Sequence, residues 1–142
     1  VSESPFLYLT VDQIHALHAI AVEEFGGQPG LMNPGNLQMA ARVPYDVWLL
    51  DGGDVWEQAA AYAFSITNHP PYHDGNKRTA LACALAFLEI NGCDQHNFEE
   101  GNLFEAVNWL GQHELSRRGF AQYLRDAYDG TSGTWGEDNP EG

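Results

Sequence analysis

The stretch from Thr79 to Ile90 constrains this chain most: it is apolar on almost every face, with Glu89 the exception. A helix without a polar face has nowhere to present itself to water, so other elements must enclose it. Asn91-Gly92 supplies a C-terminal stop. A chain of 142 residues is long enough to build one such core without staples and too short for two.

The flanking sequence reads as the enclosing helices. Thr10 can cap a helix with Gln13 at the capping-box position, and Ile14, Leu17, His18, Ala21, Val22 and Phe25 recur at helical spacing until Gly26-Gly27. Gln28-Pro29-Gly30 and Asn33-Pro34-Gly35 are turn chemistry. They precede a short amphipathic run, Leu37, Met39, Ala40 and Ala41, which Pro44 is expected to halt. After the loop Asp51-Gly52-Gly53, an Ala-rich helix is expected from Asp54 through Ile66, ended by Asn68-His69-Pro70-Pro71. Further helices are expected over about Glu99 to Gln112 and Ser116 to Ala127. No internal repeat and no strand pair is visible, so the expected class is all-α: one domain over residues 1–129, with Thr79 to Ile90 as its least accessible helix. Residues 130–142 read as a mobile tail, glycine-rich and acidic.

Composition narrows the function. A net charge of -14 with Lys and Arg numbering 6 argues against direct binding to nucleic acid or anionic lipid, which need clustered positive charge. No run approaches the length needed to span a bilayer, and Val1-Ser2-Glu3-Ser4-Pro5 lacks the basic and apolar regions of a signal peptide. Cys83 and Cys93 have neither the number nor the spacing of a disulfide framework or a thiolate metal site. A soluble protein of the reducing cytoplasm is the expectation.

Against this acidic background, His73-Asp74-Gly75-Asn76-Lys77-Arg78 opens onto the apolar helix. The first amides of a helix lack internal partners, and the dipole adds roughly half a positive charge, so such a start binds anions. Gly75 lets backbone approach a ligand, Asn76 offers an amide, and Lys77 and Arg78 supply adjacent cations; Lys77 is the only lysine in the chain. Asp74 suits Mg²⁺, which takes one carboxylate plus nucleotide phosphates. Equally, Asp74 can cap the helix while Lys77 and Arg78 are merely solvated, and the residues alone leave both readings open.

The segment from Tyr72 resembles the signature of the Fic/Doc family: aromatic, any residue, acid, small residue, asparagine, a variable position, arginine. The likeness runs from about Tyr8 to Tyr128, through Leu9-Thr10, Phe25-Gly26-Gly27, Pro29-Gly30-Leu31, Asn33-Pro34-Gly35 and Ala82 to Gly92. It implies a compact helical bundle around a buried helix. Relatives that adenylylate proteins typically carry glycine after the asparagine; this chain carries Lys77, as the Doc-type toxins do. The resemblance therefore implies ATP and Mg²⁺ as cofactors and transfer of a phosphoryl, or alternatively nucleotidyl, group to a hydroxyl of a target protein. Elongation factor Tu is the implied target, with translation arrest as the outcome and an antitoxin as restraint. Asp74 falls on the metal position. Asn76, Lys77 and Arg78 fall on phosphate positions, flanked by Gly75, by His73 at a variable position and by Tyr72 at the aromatic position. No Ser/Thr-x-x-x-Glu-Gly/Asn inhibitory helix is present, which implies control in trans.

One departure stands out. The family's catalytic histidine should occupy position 70, where this chain has Pro70. Phe64-Ser65-Ile66 fits the family pattern without a gap, which indicates substitution rather than insertion. His69 is the first candidate to replace the base and His73 the second; a base must approach within about 2.6–3.2 Å of the proton it removes. Two rival readings follow: a pseudoenzyme that binds nucleotide or a partner and catalyses nothing, and an HD-type metal phosphohydrolase built on His73-Asp74. His15 and His18 share a helix face and can ligate a metal, although histidines in such positions are more often partly buried or solvated. His96 and His113 carry no context. Of the tryptophans, Trp135 in the tail is the one expected to serve as an exposed anchor.

Overall fold

Six helices form within residues 3–130, the residues that the computed structural model describes: α1 (Val11–Phe25), α2 (Pro34–Asp51), α3 (Val55–Asn68), α4 (Asn76–Ile90), α5 (Glu100–Gly111) and α6 (Arg117–Asp129). Among these residues there is no strand, only an antiparallel bridge between Leu31 and Tyr72, and the all-α expectation holds. Beyond Gly130, the expected tail and Trp135 lie outside the described residues.

Local capping explains most helix starts. Thr10 and Gln13 form the expected capping box at α1, Asp54 and Glu57 form a second at α3, and Asn33 and Ser116 accept backbone amides at α2 and α6. Two expectations need correction. Pro44 does not halt a helix, because α2 runs through it to Asp51, with Pro44 itself buried. Packing along α3 outweighs the single backbone hydrogen bond that proline removes, and Val47 beyond it is buried too.

The second correction concerns the centre of the fold. α3 is buried without a break from Gln58 to Ala63 and again at Ser65 and Ile66, and it packs against α2, α4, α5 and α6. Its run of alanines lets four neighbours approach closely. α4 lies beside it with Thr79, Ala80, Leu81, Cys83, Ala84, Phe87 and Leu88 buried, whereas Leu85 is only half-buried and Ile90 is 42% exposed. A sequence that is apolar all round thus has one face only partly covered. Leu88→Ala should lower the unfolding free energy by about 2–5 kcal/mol, the penalty for emptying a core leucine site. Leu85→Ala should lower it by about 1 kcal/mol or less. Urea unfolding of both variants checks the difference, and equal losses would put Leu85 in the core after all.

Candidate active site

The site begins where α3 ends. Pro70 and Pro71 have no amide hydrogen to carry the helix on, and His69 caps it, its N–H donating to the Ser65 carbonyl at 2.8 Å. The connection that follows is tied down by hydrogen bonds of its backbone to the segment before α2 and to its first turn. Pro70 O accepts from Asn36 Nδ2 at 3.2 Å, and Pro71 O accepts from the amides of Met32 (2.7 Å) and Asn33 (2.9 Å). The His73 amide donates to Gly30 O at 3.1 Å. The segment from Gly30 to Asn33, between α1 and α2, is thereby laid along Pro71 to His73.

Asn76 closes the next five residues into a loop. Its side-chain Nδ2 donates to Tyr72 O at 2.8 Å, and its Oδ1 accepts from the Tyr72 amide at 3.1 Å. Asn76 therefore shapes the loop rather than presenting its whole amide to a ligand. Gly75 sits at φ 80°, in the left-handed region that favours glycine, and leads directly into α4. The helix starts at Asn76 instead of Thr79, so Lys77 and Arg78 belong to its first turn. Unlike α1, α2, α3 and α6, α4 has no side chain capping its N-terminus.

Those uncapped amides border an open cleft of about 360 Å³, lined by Thr67, Pro70, His73, Asp74, Gly75, Asn76, Lys77 and Arg78. Lys77 is exposed, and its Cε lies 3.6 Å from where a side chain at Gly111 would begin, which places its stem beside the end of α5. Arg78 is held between two rings, its Cζ 3.9 Å from the Phe25 centroid and 3.7 Å from the Phe104 centroid. With both faces of the guanidinium covered, its N–H edge is left for a ligand. Among the described residues neither cation is in an ion pair. Lys77 is thus open to solvent, whereas Arg78 is packed against α1 and α5 at the cleft wall.

Asp74 is exposed, with Oδ2 accepting from the Gln28 amide at 2.9 Å. It does not cap α4. No group of three or more His, Cys, Asp or Glu side chains capable of holding a metal occurs among the described residues. A lone carboxylate fits Mg²⁺ shared with nucleotide phosphates, and the HD-type reading is left without its ligand cluster among those residues.

The structure thus gathers His73, Asp74, Gly75, Asn76, Lys77 and Arg78 around one cleft. It places two sequence candidates elsewhere. His69 is exposed and not among the lining residues, while Pro70 is. Tyr72 is 1% exposed and lies in the core beneath the loop. Burial pushes its phenol up to about 12, and the hydroxyl lies 3.1 Å from His15 Nδ1.

Sequence reasoning missed the support given by α1. Phe25 covers Arg78, and His18, 2% exposed, has Nε2 at 2.8 Å from Asp74 O. The helical spacing of His18 with Ile14 and Ala21 already marked it as inward-facing; its partner, 56 positions along the chain, carried no local signal. Burial holds the His18 imidazole below its ordinary range, with His15 adding to the effect and the Asp74 carbonyl opposing it. A lowered value in the folded state means that the unfolded chain binds the extra proton more readily. Stability from this group is present above the unfolded value of about 6.5 and is lost as pH falls through the folded one. An NMR titration of the ring should show a midpoint below that value, and one at or above it would contradict a buried neutral imidazole.

Comparison with known proteins agrees with this architecture. A model described as "Fic/DOC family" matches residues 8–88. The chain is 30% identical over 126 residues to "Protein kinase doc" of Escherichia phage P1, spanning 85% of this chain and 95% of that protein. It is 38% identical over 87 residues to "Toxin Doc" of Mycolicibacterium smegmatis, spanning 60% of this chain and 65% of that one. With the family match reaching from Tyr8 through the loop and α4 to Leu88, the chain belongs to the Fic/DOC family, and the Doc proteins are among its relatives.

Proposed function

We propose that this protein is a Doc-type toxin that transfers the γ-phosphoryl group of ATP to a hydroxyl of a target protein. The observation that carries the reading is the uncapped start of α4, where Lys77, Arg78 and Asp74 border the same cleft. The names of the relatives, a protein kinase in one case and a toxin in the other, point the same way. The target is proposed to be a threonine of elongation factor Tu, with translation arrest as the consequence and a cognate antitoxin as the restraint.

In this reading the first amides of α4 receive phosphate oxygens, and Lys77 with the N–H edge of Arg78 neutralises them. The free oxygen of the Asp74 carboxylate would hold Mg²⁺. When bound, MgATP supplies the phosphoryl group and a divalent charge that offsets its oxygens. Phosphoryl transfer depends chiefly on positioning and charge stabilisation, so these residues supply most of what the reaction needs. The hydroxyl proton passes to an imidazole: His73, which lines the cleft, is the candidate its geometry favours, and His69, exposed beside Pro70 and outside the lining, is the other.

A second reading is favoured by one observation, Pro70 in the wall at the family's base position: a pseudoenzyme that binds MgATP without transferring anything. Incubation with elongation factor Tu and ATP labelled in either the γ- or the α-phosphate separates the readings. Label on the protein from the γ-phosphate alone is expected. Label from the α-phosphate would instead indicate nucleotidyl transfer, and retained MgATP binding with no label in either case would establish the pseudoenzyme.

A further inference from the structure

We propose that His18 is a positioning residue: it fixes the direction in which the Asp74–Gly75 peptide presents its amide to a phosphate. The inference rests on the phosphate-binding reading of the cleft. A polar ring buried at 2% exposure must be hydrogen-bonded to offset its desolvation, and His18 Nε2 lies 2.8 Å from Asp74 O. A carbonyl only accepts, so Nε2 carries the proton and donates. The C=O of Asp74 and the N–H of Gly75 belong to one planar trans peptide and point in opposite directions. Holding the carbonyl towards α1 therefore holds the Gly75 N–H away from α1, and Gly75 is part of the cleft wall.

The ring is itself oriented by its neighbours. It lies flat on Tyr72, with centroids 3.5 Å apart and planes 3° from parallel, and Tyr72 is the residue that Asn76 clamps at the start of the loop. His18 Nε2 and Cδ2 also come within 3.5 Å of the Cβ position of Gly75. One side chain of α1 thus touches the beginning of the loop with its face and the Asp74–Gly75 peptide with its edge. Glycine at position 75 accepts φ 80°, yet the same freedom lets the peptide rotate unless something holds it. An ordinary buried histidine would stabilise the fold without selecting that rotation.

Two variants of the full chain separate these roles. His18→Phe keeps a flat ring on Tyr72 and removes the donor, whereas His18→Gln restores an N–H donor at similar reach without the stacked ring. Calorimetric MgATP affinity should fall about 3- to 10-fold in His18→Phe, the scale of one lost hydrogen bond, and return towards wild type in His18→Gln. The nitrogen-relaxation order parameter of Gly75, measured without nucleotide, should drop in His18→Phe alone. Wild-type affinity and an unchanged Gly75 order parameter in His18→Phe would overturn the inference, as would equal weakening in both variants that follows their thermal stability. If wild type binds no MgATP, the phosphate-binding reading fails, and the Gly75 order parameter still decides whether His18 holds the peptide.

Discussion

If wild type works without a positioned base, a Pro70→His variant should transfer phosphoryl groups to its target about 10²–10⁴-fold faster, the usual contribution of such a base, and if His69 or His73 already takes the proton it should be no faster. Position 70 is in the cleft wall beside Asp74 and Lys77, and its carbonyl is fixed by Asn36, so an imidazole there replaces a pyrrolidine without a change of register. Phe64-Ser65-Ile66 upstream keeps the family pattern without a gap, which leaves the backbone ready to receive it. Nucleotide affinity should change little, since Pro70 supplies no charge and no donor. His69→Ala and His73→Ala in the same assay show which imidazole serves wild type, and the base is the one whose loss lowers kcat with KM unchanged. Should Pro70→His prove no faster than wild type, an existing histidine already does this work, or the proton leaves to solvent. Growth arrest on expression gives the same ranking without purified target.

Removing both cations is the second large effect expected. Lys77→Ala combined with Arg78→Ala should weaken MgATP binding by about 3–6 kcal/mol, on the order of 1.5–3 for each charge-assisted contact. The two side chains stand on the first turn of α4 with no ion-pair partner among the described residues, so their charge is available to a ligand. Arg78→Ala also leaves Phe25 and Phe104 facing an empty slot, and the unfolding free energy should be measured alongside to separate packing from binding. Calorimetric affinity equal to wild type in the double variant would remove the cleft as the phosphate site.

What the sequence determined by itself lies within a turn or two of each residue. Thr10 and Gln13 started α1, Asn68 to Pro71 ended α3, and the order from Tyr72 to Arg78 carried the family resemblance and pointed to a candidate site at a helix start. Capping, proline exclusion and glycine conformations act over a few bonds, so they can be read without coordinates. Where several signals met, as at Pro44 or at the start of α4, the local rule alone was insufficient. Pro44 stays helical because of what α2 packs against, and α4 begins early because Gly75 supplies the turn that no side-chain cap announces.

Tertiary structure alone decided which apolar helix is central, and which side chains support the site. Thr79 to Ile90 is more uniformly apolar than α3, yet the small alanines of α3 let four helices close around it, a property of shape rather than hydropathy. Likewise His18 meets Asp74 across 56 positions of sequence, and Arg78 finds Phe25 and Phe104 on different helices. Pro70 lines the cleft while His69 beside it is exposed and does not. Contacts of this kind depend on how helices pack against one another, and that packing is a collective outcome of the whole core, which no local stretch of sequence specifies.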